Sequence, residues 1–157
     1  MSEIPSRLRE FLDENGVGYR VIHHTRDFRA MDTADDTRTP MQEFAKTVFI
    51  CVDGEYAMAV LPASHFLSER RLEEALEARS VRLASESQMV LFCPDCDAGA
   101  APPFGNLYGL PVFVSPALTQ DEEITFNAGT HQDAIRMSYA DFERLTHPRI
   151  VHMARHE

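Results

Sequence analysis

The sequence predicts an α/β domain of the α+β kind, built around a mixed, mostly antiparallel sheet. Three observations carry this expectation. Two apolar runs, residues 47–52 and 56–61, flank Asp53-Gly54, a dipeptide suited to a two-residue hairpin turn. Short strand-like segments then recur between helical stretches that begin with capping residues. Regular strand–helix–strand alternation is absent, which argues against a doubly wound parallel sheet.

The elements follow in order. Residues 5–15 place Leu8, Phe11 and Leu12 on one side and end in Asn15-Gly16, the pattern of an amphipathic helix with a glycine stop. Val17, Tyr19 and Val21 alternate with smaller or polar residues and read as a strand running into His23-His24. Residues 25–40 are polar and turn-rich; a short helix is expected near Thr33, and Pro40 prevents a long one. After the hairpin, Ser68 caps a helix with Leu72, Ala75 and Leu76 on one face. Ser85 and Gln88 have capping-box spacing ahead of Met89-Val90-Leu91-Phe92. A loop over 93–105 precedes strands near 111–115, 123–128 and 134–137. Ser138 and Asp141 cap a further helix ending before Pro148, and a last strand is expected over 149–153.

Composition sets the bounds. A chain of 157 residues with 44% hydrophobic content is the size of one domain, 1–157, with a full core. Its formal net charge of −10 repels polyanions, so a broad basic face of the kind that holds DNA is not expected. A nucleic-acid partner would be held at a small local site or delivered by another protein. Three cysteines do not make an even disulfide framework. Met1-Ser2-Glu3-Ile4-Pro5 has neither the basic nor the apolar segment of a signal peptide, and no apolar run reaches the ~18 residues of a membrane span. The expected setting is cytoplasmic, with no membrane partner.

The familiar catalytic motifs are absent: there is no G-x-S-x-G, H-E-x-x-H, Walker loop or G-x-G-x-x-G. What remains is a cation at the mouth of a strand (Lys46), the Gly/Pro loop 99–105, and the turn Asn127-Ala128-Gly129-Thr130-His131. Converging on one pocket, they would bind an anion and stabilise an oxyanion. Pro102 and Pro103 lock φ, and the N–H groups of Gly99, Ala100 and Ala101 are left to face a ligand. Taken singly, Lys46 also reads as a lysine snorkelling to solvent, and the loop as a plain surface turn.

His23 and His24, adjacent on a strand, face opposite sides and cannot share a metal; one of them lines a pocket or both lie on an edge. Cys93-Pro94-Asp95-Cys96 follows a helix instead of opening one, the wrong context for a thiol-redox pair, and no second pair completes a zinc site. It is read as an ordinary loop, and neither a metal nor a cofactor is expected. His147, His152 and His156, and the carboxylates Glu73, Glu74 and Glu77, read as surface residues.

Together, Ala45-Lys46-Thr47, Asp53-Gly54, Ala59-Val60-Leu61-Pro62, Gly99-x-x-Pro102-Pro103-Phe104-Gly105, Leu110-Pro111-Val112 and Gly129-Thr130-His131 make the chain resemble the YbaK/EbsC family. These are stand-alone relatives of the editing domain associated with prolyl-tRNA synthetase. The resemblance runs from about His24 to Pro148. It implies a barrel-like mixed sheet flanked by helices, and metal-independent hydrolysis of the ester joining a wrong, small amino acid to tRNA. It implies that Lys46 contacts the terminal nucleotide and that the loop from Gly99 to Pro103 presents N–H groups to the ester carbonyl. Thr33-Ala34 matches a pair that opens a pocket-lining helix in relatives, although residues 35–40 are more acidic and broken. The catalytic set expected is Lys46, Gly99, Ala100 and Ala101. The substrate-binding set is His24, Thr33, Pro62, Pro102, Pro103, Phe104, Gly105, Asn127, Gly129, Thr130 and His131, with His131 orienting water. The implied partners are the 3′ end of an aminoacyl-tRNA and a synthetase. The rival reading is a non-catalytic binding module of the same fold.

Overall fold

The computed structural model describes residues 4–24 and 29–155; the expected turns at 25–28, and His156, lie outside it. Helix α1 (Ser6–Glu14) buries Leu8 and Leu12, and Asn15 ends it as the sequence expects. Strand β1 (Tyr19–His23) follows, then the short helix α2 (Ala30–Asp36). The hairpin forms as read: β2 (Ala45–Val52) and β3 (Glu55–Pro62) pair from Val52↔Glu55 to Ala45↔Pro62. Asp53 and Gly54 both hold positive φ, +48° and +89°, as a two-residue turn of the I′ kind requires.

Ser68 caps α3 (Glu69–Leu76) by accepting from the Arg71 N–H, and Ser85 with Gln88 closes a full capping box on α4 (Glu86–Phe92). Between them lies β4 (Val81–Leu83), a strand the sequence reading did not contain. Three residues carry too short a pattern to register, and β4 forms because β2 offers it an edge. The remaining elements are β5 (Val112–Val114), β6 (Glu123–Asn127), β7 (Asp133–Ser138), α5 (Tyr139–Thr146) and β8 (Arg149–Ile150). The last strand is shorter than expected. Beyond Ile150 the chain leaves the sheet, and Leu67 makes an isolated bridge to Ala154.

The strands form a three-stranded sheet, β1-β7-β6, and a five-stranded sheet, β4-β2-β3-β5-β8. All pairings are antiparallel except β3 with β5 and β5 with β8. The sheets do not close into a barrel. They meet where Phe44, just before β2, bridges to Thr125 of β6. Between them and α1 lies the main core, centred on Phe104, whose ring meets Phe11, Phe126 and Phe142 at 6.1, 5.6 and 5.5 Å.

Polar contacts lock the seam between the sheets. The Thr125 N–H donates to the Glu43 carbonyl at 3.0 Å. Arg136 of β7 reaches Glu43 at 2.7 Å, the Thr125 hydroxyl at 2.9 Å and Glu123 at 3.2 Å. Asp121 lies close to this cluster without joining it: its Oδ2 is buried and, among the described residues, has no hydrogen-bond partner. Burial, reinforced by the Glu43 charge and opposed by Arg136, pushes its carboxyl up to about 6.

A folded-state value above the unfolded ~3.9 means that the native state holds this proton more tightly. The stability it contributes is therefore complete below the unfolded value and is lost as pH rises through about 6. Asp121→Asn is expected to raise Tm by about 2–4 °C near pH 7.5, the equivalent of roughly 1 kcal/mol. In calorimetry the gain should vanish below about pH 3, where both states carry the proton. A gain that persisted there would show that charge is not its cause.

Candidate functional site

The seam brings the start of β2 beside the end of β6, and a cavity of about 160 Å³ opens there. It is lined by Ala30 of α2, Ala45, Lys46 and Thr47 of β2, Asn127 at the end of β6, and Gly99 and Ala101 of the loop. Lys46 is half-buried, and that burial alone holds its ammonium below the usual lysine range. Its Nζ sits 5.2 Å from the ring centre of Phe66. Asn127 Oδ1 is buried and, among the described residues, accepts no hydrogen bond. A buried acceptor left in that state costs about 1–3 kcal/mol, so the atom is poised for a donor brought by a ligand.

The loop itself is clamped from behind. The Asp97 N–H donates to the Gly129 carbonyl at 2.7 Å, and the Gly129 N–H returns to the Ala100 carbonyl at 2.8 Å. His131, 4% exposed, joins its Nε2 to the Ala98 carbonyl at 2.6 Å, so that nitrogen carries the proton and donates. Gly129 has φ +93°, and a Cβ there would lie 2.6 Å from Pro5 Cγ, so no other residue fits. The Thr130 hydroxyl donates to Asp133 Oδ2 at 2.7 Å, and His23 binds the other carboxylate oxygen through Nδ1. The turn is thus fixed before it holds the loop.

The clamp separates the expected donors. The Ala100 N–H is already spent on the Asp97 carbonyl at 3.0 Å, and Ala100 is fully buried. It supports the loop and does not line the cavity. Gly99 (φ +81°) and Ala101 do line it, and among the described residues neither N–H has an acceptor. Two donors therefore remain where three were expected.

The rest of the expected binding set divides in the same way. Asn127 lines the cavity. Gly129, Thr130 and His131 lie behind the loop, and His131, tied to Ala98, is not placed to orient water. Thr33 is buried, its hydroxyl bonded back to the Arg29 carbonyl at 3.2 Å; α2 reaches the cavity through Ala30 instead. Pro62 pairs with Ala45 across the hairpin and is buried. Pro102 and Pro103 are buried, Phe104 is the centre of the core, and Gly105 lets the Leu110 carbonyl approach where a Cβ would stand 2.6 Å away. His24 is half-buried beside the turn, its N–H on the Gln132 carbonyl at 2.8 Å. The sequence reading missed Ala30, Ala45 and Thr47, small residues that contribute by leaving space. It also missed Asp133; its signal was an acid three residues after the Thr130 turn residue.

A second cavity of about 220 Å³ shares Thr47 and Gly99 with the first and is otherwise mostly apolar, with Val48, Phe49, Leu83 and Met89. The cysteine pair lies in the loop after α4. Cys93 ends α4 and so gains nothing from a helix N-terminus. Both thiols are free and buried, and burial pushes each up to about 12. Among the described residues, no group of three or more potential metal ligands gathers.

Residues 27–145 match the aminoacyl-tRNA editing domain model, and the chain belongs to that family. The resemblance drawn from the sequence is thereby borne out. A curated relative, the multifunctional Ser/Thr-tRNA deacylase ProXp-y of Escherichia coli (strain K12), is 27% identical over 154 residues, covering 95% of this chain and 92% of its own. A crystal structure described as a candidate trans-editing enzyme for prolyl-tRNA synthetase superposes with a TM-score of 0.85 at 16% identity, covering 99% of both chains. A scaffold protein used for computational epitope grafting has the same TM-score, 0.85, at 15% identity over 100% of both chains. These two likenesses establish the fold. Among the described residues, no helix is long and apolar enough to cross a membrane.

Two outcomes follow from the clamp and the thiols. His131→Ala should leave the global melting curve near wild type while speeding amide exchange at Asp97 and Ala100 by about tenfold or more, since local opening governs exchange there. Unchanged protection would mean that the backbone pairs hold the loop unaided. Iodoacetamide at mildly alkaline pH should label Cys51, the partly exposed thiol, and spare Cys93 and Cys96, as read by mass spectrometry.

Proposed function

We propose that this protein is a trans-editing aminoacyl-tRNA deacylase that hydrolyses the ester of a small, wrongly attached amino acid. The observation that carries the reading is one cavity holding Lys46, the two unpaired N–H groups of Gly99 and Ala101, and the buried acceptor Asn127 Oδ1. Membership of the editing-domain family and the deacylase activity named for the curated relative support it. Residues 1–157 act as one editing domain in the cytoplasm, on the aminoacylated 3′ end of tRNA, with a synthetase as the associated partner.

In this reading Lys46 holds the terminal nucleotide by its phosphate or ribose. Asn127 Oδ1 accepts a hydrogen bond from the α-ammonium of the aminoacyl group. The Gly99 and Ala101 N–H groups face the ester carbonyl oxygen. Water adds to the carbonyl carbon, and negative charge moves onto that oxygen, where the donors stabilise it. The intermediate collapses by breaking the bond to the ribose oxygen, which leaves with the proton that water gave up. The products are a free amino acid and uncharged tRNA. No nucleophile–base pair is required, because the ester is already labile and losing a single oxyanion donor typically changes rate by ~10²–10³. The cavity, about 160 Å³, is smaller than the ~300–1,000 Å³ pockets of drug-sized ligands and suits an alanine-, serine- or cysteine-sized group.

The test is hydrolysis of a panel of mischarged tRNAs by wild type and Lys46→Ala side by side. Selective hydrolysis is expected, with kcat/KM about 10²-fold or more lower in the variant, the scale on which a misplaced substrate loses rate. Activity should survive EDTA. Failure of a folded wild-type protein to turn over any member would overturn the reading in favour of a non-catalytic binding module.

A further inference from the structure

The protein carries a net charge of −10, yet the proposed substrate is a polyanion. One face resolves this conflict. Phe66 is 59% exposed, the one exposed Phe or Tyr ring among the described residues. Two cations lie over it: Lys46 Nζ at 5.2 Å and Arg155 Cζ at 6.0 Å from the ring centre. Lys46 is also a wall of the 160 Å³ cavity, so the ring stands at the cavity's rim.

The platform is held by its backbone. The Arg155 N–H donates to the Phe66 carbonyl at 2.9 Å, Leu67 bridges Ala154, and the Ser68 N–H donates to the Met153 carbonyl at 2.6 Å. These same two segments form one side of a larger depression, about 640 Å³, lined by Ser68, Arg70, Arg71, Glu74, Ala75 and His152. Among the described residues that line it, the one carboxylate, Glu74, meets Arg70 at 3.3 Å in a pair with side chains 67% and 88% exposed. A pair so exposed is worth little and yields readily to a phosphate. Lys46 and Arg155 at the Phe66 ring, and Arg70 and Arg71 in the depression that begins at Ser68 two residues on, thus set four cations around an exposed aromatic ring, with Glu69, Glu73 and Glu74 interleaved on α3.

We propose that this track, from Lys46 across Phe66 and Arg155 to Arg71 and Arg70, is the seat of the single-stranded 3′ end of the tRNA. An exposed ring stacks any base, because every base has a π-face, and arginines beside it add cation–π attraction and phosphate contacts. Charge beside a groove with stacking at one point is the arrangement by which proteins hold a single strand. The track accounts for affinity without a basic surface. It rests on the deacylase reading for the identity of the strand, and it adds positioning residues that the cavity alone does not contain.

The experiment is binding of a short, uncharged, single-stranded RNA with the tRNA 3′-terminal sequence, measured by fluorescence anisotropy over a salt series. Wild type should bind with salt-dependent affinity. Phe66→Leu and Arg155→Gln should each weaken binding about tenfold, the scale of one lost stacking contact. Arg71→Gln should lower the slope of log K against log salt by about 0.7, one phosphate contact on a single strand. Circular dichroism melts check that these variants stay folded. Variants that bind as tightly as wild type, or a wild type that binds the RNA only when a synthetase is added, would overturn the track. The readout needs no turnover, so the two readings fail separately. RNA binding without ester hydrolysis leaves the track and removes the deacylase; hydrolysis with unaffected variants does the reverse.

Discussion

The contact on which the rest of the structure depends is the seam between the two sheets. Phe44 and Thr125 bridge across it, the Thr125 N–H donates to Glu43, and Arg136 ties Glu43, Glu123 and Thr125 together. Without this join, β2 and β6 belong to separate sheets and nothing requires their ends to be neighbours. With it, Lys46 at the start of β2 and Asn127 at the end of β6 face one space. The seam is polar, and its central arginine is 17% exposed and meets two carboxylates. Removing one member would strand the other charges, which is why such clusters are costly to break even when they add little as formed.

A second constraint acts at shorter range. The loop that supplies the donors has no regular structure of its own, and an unheld Gly/Pro loop would place its N–H groups poorly. Here the turn at 129–131 pairs with it twice through backbone and once through His131. The turn in turn depends on Asp133, which gathers Thr130 and His23. Precision at Gly99 and Ala101 is therefore borrowed from β6 and β7. The left-handed backbone at Gly129, with Pro5 packed against it, adds the N-terminal segment to the same support. Residues read as pocket walls turn out to be the scaffold behind the wall.

Electrostatics follow a similar division between whole and part. The formal charge of −10 correctly argues against a broad basic face, but it says nothing about where the 15 lysines and arginines stand. Several of them collect along the edge formed by β2, α3 and the C-terminal segment. Glu69, Glu73 and Glu74 share α3 with Arg70 and Arg71, so this edge is mixed in charge, and more distant acids are screened beyond about 8 Å at physiological salt.

What depends on near neighbours in the chain could be read from the residues alone. The Asp53-Gly54 turn, the caps at Ser68, Ser85 and Ser138, the stop at Asn15 and the position of the cysteine pair after α4 are local, and each was legible. The combination of short motifs also disclosed the family, because those motifs together specify one arrangement. Which of the expected residues share a cavity is fixed by long-range packing. Whether the Ala100 N–H is free depends on a turn closed by Asp97, and whether His131 meets solvent depends on a loop some thirty residues earlier. Ala30, Ala45 and Thr47 matter for the space they leave, which no residue type announces. Strand β4 exists because an edge was available, and β8 ends early because the chain turns into the core. Hydrogen-bond partners and empty space are properties of the packed chain, and the pattern of residues along it does not carry them.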